Sequence, residues 1–199
     1  MKKSLLILCS FLIIIFFIPI SVFSQNFIER LEKSPRHHEW KKLINNDKDI
    51  NTFIVFPEVA KKVPVVILIH ENRGLNDWAR SMSDQIAEMG YIVLAPDLLS
   101  GTAPDGGGTS NFKDSDMART AIYDLSPEKV TSDLDIVYEY AKNIESANGK
   151  VAIIGFCWGG LQSFRYATNN SSLSAAFVCY GSGPKNEIDY KKIKAPVYG

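Results

Sequence analysis

Runs of apolar residues alternate along the chain with stretches in which every third or fourth position is apolar, and this alternation sets out the elements. Ile50, Thr52, Ile54 and Phe56 alternate with other residues, the period of a half-buried strand that ends at Pro57. Val63 to Ile69 is continuously apolar and mostly β-branched, as a strand covered on both faces would be. A helix follows, with Asn76 placed to cap it, Trp78, Met82, Ile86 and Met89 on one face, and Gly90 at its end. Tyr91 to Ala95 predicts a second buried strand, closed by Pro96-Asp97.

Residues 101–112 hold too many glycines for regular structure and read as a mobile surface loop. Ser126 caps the next helix with Pro127 in its first turn, and Val130, Leu134, Val137, Tyr138, Ala141 and Ile144 form its buried stripe before Asn148-Gly149. Val151 to Ile154 predicts a third buried strand, Leu161 to Ala167 a helix, Ala175 to Tyr180 a fourth strand, and Pro196 to Tyr198 the start of a fifth. Strands alternating with helices in this way predict an α/β class with a parallel sheet. Ligands then belong at the carboxyl ends of the strands.

The amino terminus stands apart. Lys2 and Lys3 precede a nearly unbroken apolar run from Leu5 to Ile20, and Val22 and Ser24 have the spacing a signal peptidase accepts. Residues 1–24 therefore read as a signal peptide of an exported protein, periplasmic or secreted, that meets the membrane only before cleavage; an uncleaved anchor is the rival. Residues 25–48 are polar and read as a lead-in, in which His37 and His38 are expected on a solvated surface. Residues 49–199 are the α/β domain.

Composition narrows the function. A chain that is 46% hydrophobic and 22% charged is not disordered. With 22 basic and 22 acidic residues it has no field for nucleic acid. Cys9 lies in the apolar run, while Cys157 and Cys179 remain available in the domain as thiols or as a bridge. No histidine, cysteine or acid cluster has metal-ligand spacing, and no metal or organic cofactor is expected.

The sharpest chemical signal is Gly155-Phe156-Cys157-Trp158-Gly159-Gly160, directly between a predicted strand and a predicted helix. It fits a Gly-x-nucleophile-x-Gly elbow with cysteine as nucleophile. The Trp158 backbone N–H, at a helix N-terminus, is a candidate oxyanion donor. A phosphate cradle fits poorly, for want of a Walker lysine or Gly-x-Gly-x-x-Gly spacing. A buried, inert or bridged Cys157 is the plainer alternative, and inertness suits Cys179 better. A second signal, His70-Glu71-Asn72-Arg73-Gly74, leaves the carboxyl end of the strand Val63 to Ile69. Asn72 is the candidate for the other oxyanion N–H. Glu71 is a candidate catalytic carboxylate or an ordinary surface acid, and His70 a candidate base or a satisfied histidine.

From about Trp40 to Gly199, through these two motifs and Tyr91-Ile-Val-Leu-Ala-Pro-Asp-Leu98, the sequence resembles the dienelactone hydrolase family, the carboxymethylenebutenolidase-like branch of the α/β-hydrolases. The resemblance implies a mostly parallel sheet with helices on both faces and hydrolysis of a small ester or lactone. It implies that Cys157 is the nucleophile and that Glu71 meets it in the resting enzyme and helps deprotonate it when substrate docks. Where members of the family carry an arginine after Pro-Asp-Leu, this chain has Leu99, Ser100 and Gly101. The family's acid and histidine follow the nucleophile, whereas His37, His38 and His70 all precede Cys157. The resemblance therefore implies a partial domain whose last strands and two triad members lie past Gly199, and an inactive 199-residue chain. Two rivals stand beside it: a non-catalytic secreted binding protein on the same fold, and an enzyme with His70 as base.

Overall fold

The computed structural model describes residues 20–46 and 48–199. The expected signal segment lies outside the described residues as far as Pro19. Its last residues open a helix, α1 (Ile20–Lys33). Next come β1 (His37–Asn45), β2 (Lys48–Phe56), β3 (Val63–Ile69), α2 (Asp77–Glu88) and β4 (Ile92–Pro96). The chain continues through α3 (Ser115–Tyr123), α4 (Pro127–Lys142), β5 (Ala147–Phe156), α5 (Trp158–Asn169), β6 (Ala175–Cys179), α6 (Glu187–Tyr190) and β7 (Val197–Tyr198). Among the described residues seven strands join one sheet in the order β1-β2-β4-β3-β5-β6-β7. β1 with β2 and β2 with β4 pair antiparallel; every other pair is parallel. The predicted α/β-hydrolase-type sheet, mostly parallel, is thus observed.

The unbroken apolar run in β3 has its explanation in the layers. Val65, Ile67 and Ile69 face one core with Leu134 and Val137 of α4 and Tyr166 of α5. Val66 and Leu68 face the other, with Ala79, Ile86 and Ala87 of α2 and, at its margin, Leu31 of α1. Helices cover both faces, so both sets of alternating side chains are buried. Burying a large aliphatic side chain contributes roughly 1.5–3 kcal/mol, and β3 supplies six such residues. The caps also fall where expected: the Asn76 side chain accepts from the Ala79 N–H and that of Ser126 from the Lys129 N–H.

Three local expectations need correction, and one helix adds to them. The polar lead-in contains β1, an edge strand in which only Leu43 is buried. Met89 is 71% exposed, because α2 ends at Glu88 and Met89 serves as its C-cap. Residues 115–123 form α3, whose first N–H groups are capped by the Asp114 side chain. β5 starts at Ala147, so Asn148-Gly149 lies inside a strand.

Asp84 fastens the amino-terminal elements to α2. Its side chain has no exposure, and it accepts from Ser34 Oγ at 2.5 Å, Arg36 Nε at 2.8 Å and His38 Nε2 at 2.9 Å. Burial opposes its ionisation, but these donors outweigh burial and hold its pKa at about 2. His38 is therefore a structural partner rather than a solvated surface group. Among the described residues no helix is long and apolar enough to cross a membrane.

Candidate active site

The carboxyl ends of β3, β4, β5 and β6 form one edge of the sheet. At this edge the chain turns from β5 into α5 through Cys157, whose backbone sits at φ 53°, ψ −114°. A non-glycine residue in this region carries strain on the order of 1–3 kcal/mol, which persists only where neighbours enforce it. Here they do. The Cys157 N–H donates to the Cys179 carbonyl at 3.0 Å, and its own carbonyl accepts from the Leu161 N–H at 3.2 Å, which starts α5. Glycine flanks the turn for steric reasons: a Cβ on Gly159 would lie 2.5 Å from the Ile69 carbonyl oxygen, and one on Gly155 would overlap the Gly159 carbonyl.

The arrangement suits a nucleophile. Cys157 and Cys179 are both free, half-buried thiols. Trp158 opens α5, so its N–H belongs to the first turn, where helical N–H groups have no intrahelical acceptor. Burial pushes the Cys179 thiol up, in keeping with an inert role. The Trp158 ring stacks on His70 at 5.7 Å and 11°.

His70 is not a base for Cys157. It is fully buried, the Leu98 N–H donates to Nε2 at 3.3 Å, and Nδ1 donates to the Glu71 carbonyl at 2.8 Å. An acceptor at Nε2 and a donor at Nδ1 define one neutral tautomer, and burial pushes the pKa down. Of the other histidines, His38 is bound to Asp84 and His37 lies near Glu39, both on the edge strand β1. The expectation that His70 could serve as base is thus overturned by its two occupied nitrogens.

Glu71 leaves β3 toward this edge, but the hydrogen bond its carboxylate makes is to Tyr180, whose hydroxyl donates to Oε1 at 2.7 Å. No hydrogen bond joins it to the Cys157 thiol among the described residues. Tyr180 follows β6 with φ 43°. Although most of the ring is exposed, desolvation of the hydroxyl, the Glu71 carboxylate it binds and the two nearby thiols raise its pKa well above the usual phenol value. Its partnership with Glu71 was not legible locally; the available signal was a Tyr-Gly pair closing a predicted strand at the ligand edge. The Asn72 side chain donates to Tyr123 Oη at 3.4 Å, in a turn closed by Gly74 N–H to the Glu71 carbonyl.

The glycine-rich stretch is pinned rather than loose. The buried Asp97 carboxylate accepts from Leu99 N–H at 3.1 Å, Thr109 N–H at 2.7 Å and Thr109 Oγ1 at 2.7 Å, and Thr109 Oγ1 accepts from Leu75 N–H at 2.9 Å. Asp97 thereby joins the loop after β4 to the segment carrying Glu71 and Asn72. A pocket of about 500 Å³ opens beside this joint, lined by Trp40, Arg73, Phe112 and Ser115 among others; neither Cys157 nor Glu71 borders it. After Pro96-Asp97-Leu98, where the family resemblance implies an arginine, Ser100 is buried, accepting from Asn51 N–H and donating to the Asp97 carbonyl. No cluster of potential metal ligands occurs among the described residues.

The edge therefore gathers Cys157, Trp158, Glu71 and Asn72, and adds Tyr180. Comparison with known proteins then identifies the family. The model of the dienelactone hydrolase family matches residues 50–199. A carboxymethylenebutenolidase of Pseudomonas putida is 29% identical over 129 residues, 63% of this chain and 53% of that protein. A Methylorubrum extorquens protein, provisionally given the same name, is 28% identical over 168 residues, 79% of this chain and 57% of that protein. The chain thus spans about half the length of the curated relatives it matches. A Klebsiella pneumoniae crystal structure, provisionally named a dienelactone hydrolase, has TM-score 0.68 at 24% identity over 81% of this chain and 70% of its own, a likeness of fold.

Proposed function

The chain belongs to the dienelactone hydrolase family, and from that premise we propose that it carries the nucleophile of an exported hydrolase of small esters or lactones. The observation that carries this reading is Cys157 itself, a free thiol in a strained turn at a helix N-terminus, on the same sheet edge as Glu71. Its Sγ attacks the carbonyl carbon as the thiol proton passes to the Glu71 carboxylate; the electron pair stays on sulfur and becomes the S–C bond. The oxyanion is met by the N–H groups of Trp158 and Asn72. The C–O bond to the leaving alcohol breaks, the alcohol takes a proton, and water hydrolyses the thioester. Export is supported by Lys2, Lys3 and the apolar run to Ile20, and mass spectrometry of protein recovered from its host should find Gln25 at the amino terminus.

The Glu71 carboxylate is held by the Tyr180 hydroxyl at 2.7 Å rather than by the Cys157 thiol, which favours a second reading, a binding protein on this fold without turnover. One experiment separates the two. Mixed with p-nitrophenyl acetate, the protein should release a burst approaching one equivalent of nitrophenol and acquire an acetyl group on Cys157, seen by peptide mass spectrometry. Cys157→Ala should abolish the burst, and Cys179→Ala should leave it within about threefold. Neither burst nor adduct would establish the binding reading.

A further inference from the structure

Strand register brings three residues that leave neighbouring strands to one edge of the sheet. Ile69 pairs with Gly155, and Glu71 and Cys157 each follow that pair by two residues. Phe156 pairs with Cys179, and Cys157 and Tyr180 each follow that pair by one. Counted on from the paired residues, the order across β3, β5 and β6 reads Glu71, Cys157, Tyr180, with the nucleophile in the middle. Neighbouring strands stand about 4.8 Å apart, so the outer backbones are separated by roughly 10 Å. Even so, the Tyr180 hydroxyl and the Glu71 carboxylate meet at 2.7 Å. The strand from which Cys157 emerges lies between the two that carry them.

We propose that Tyr180 is a positioning residue: its hydroxyl holds the Glu71 carboxylate in a latch across Cys157, and the opening of that latch gives Glu71 access to the thiol. The proposal rests on the reading of Cys157 and Glu71 given above. Three observations support it. Tyr180 is held from its backbone side, because the Cys179 carbonyl directly before it receives the Cys157 N–H at 3.0 Å. Its backbone takes the left-handed region, φ 43°, directly after β6 ends at Cys179, a strained conformation that persists only where neighbours enforce it. Its ring lies 6.1 Å from that of Phe156, the residue preceding the nucleophile, while 70% of Tyr180 is exposed, so it contributes little to the core. A bond between an exposed phenol and a carboxylate is weak enough for a docking substrate to replace.

The test reads thiol chemistry rather than turnover, so it stands even if the acyl-enzyme experiment fails. The rate of iodoacetamide labelling at Cys157 is followed against pH by mass spectrometry, with Cys179 in the same digest as internal control. A carboxylate freed to approach a thiol disfavours the thiolate. Tyr180→Phe should therefore move the Cys157 labelling curve to higher pH and lower the rate at pH 7.5 by about threefold or more. Glu71→Gln should move the curve the other way, and adding Tyr180→Phe to Glu71→Gln should change nothing further. Tyr180→Phe removes one exposed oxygen, and an unchanged melting curve together with unchanged Cys179 labelling establishes that the fold is kept. A Tyr180→Phe curve superimposed on that of the unaltered protein would overturn the proposal. So would an equal shift in the Glu71→Gln background, since the tyrosine would then act on Cys157 by another route.

Discussion

The turn after β5 and the loop after β4 leave the same edge of the sheet, two strands apart, and both are rich in glycine. In the turn, glycine is needed because backbone meets backbone: Gly155 and Gly159 sit where strand β3, strand β5 and helix α5 have no room for a Cβ. In the loop, by contrast, the order comes from one buried acid, Asp97, which collects the N–H groups of Leu99 and Thr109 and the Thr109 hydroxyl. Glycine content alone thus says little about mobility. What decides is whether the backbone has partners, and the partners differ in kind, carbonyl and strand packing on one side and a carboxylate on the other.

That contrast predicts unequal responses. The largest effect is expected from Gly159→Ala, whose new methyl group has only backbone to displace; it should cost about 3 kcal/mol or more in urea denaturation. A loss below about 1 kcal/mol would mean that strand and helix can part, and the steric account of the turn would fail. Asp97→Ala comes next. It strands two N–H groups in a buried setting and should cost about 2 kcal/mol, with faster proteolysis confined to residues 101–111. Unchanged proteolysis there would break the contrast by showing that the loop holds itself.

The smallest effect at neutral pH, and the most graded, is expected from acid. His70 joins the two regions, since it binds the Glu71 carbonyl and the Leu98 N–H. Its pKa is lowered in the fold, so the unfolded chain takes up a proton first as the pH drops below about 6.5. The stability it contributes is complete above that value and declines below it. Asp84 acts lower on the scale, because its pKa falls from 3.8 to about 2, and its contribution is lost as the pH falls through that interval. Urea midpoints measured from pH 7.5 to 2.5 should therefore decline in two stages. Asp84→Asn should abolish the lower stage and keep the upper one. A single stage that vanishes in Asp84→Asn would remove His70 from the account.

Much of this was legible in the sequence because it was local. The apolar run of β3, the Asn76 cap, the Ser126-Pro127 start and the glycines around Cys157 each state their geometry within a few residues. β1 was not legible, because an edge strand with one buried side chain has no apolar period to read. The loop after β4 was misjudged as mobile because its tether, Asp97, stands twelve residues before Thr109. Tyr180 lies 109 residues from Glu71, and only the sheet order brings them together. His70 could be weighed as a base only until both of its nitrogens were seen to be occupied.

The clasp at Asp84 has a bearing on maturation. Its donors are Ser34, Arg36 and His38, with Arg30 close by at 3.4 Å, and all of them come after Ser24. A cut at Ser24 would shorten α1 at its amino-terminal end and leave every one of these partners on the released side. The parting line and the fastening are thus separate along the chain, so the segment that would route the protein out of the cell could be discarded without unpicking the seam that closes β1 and α1 onto the domain.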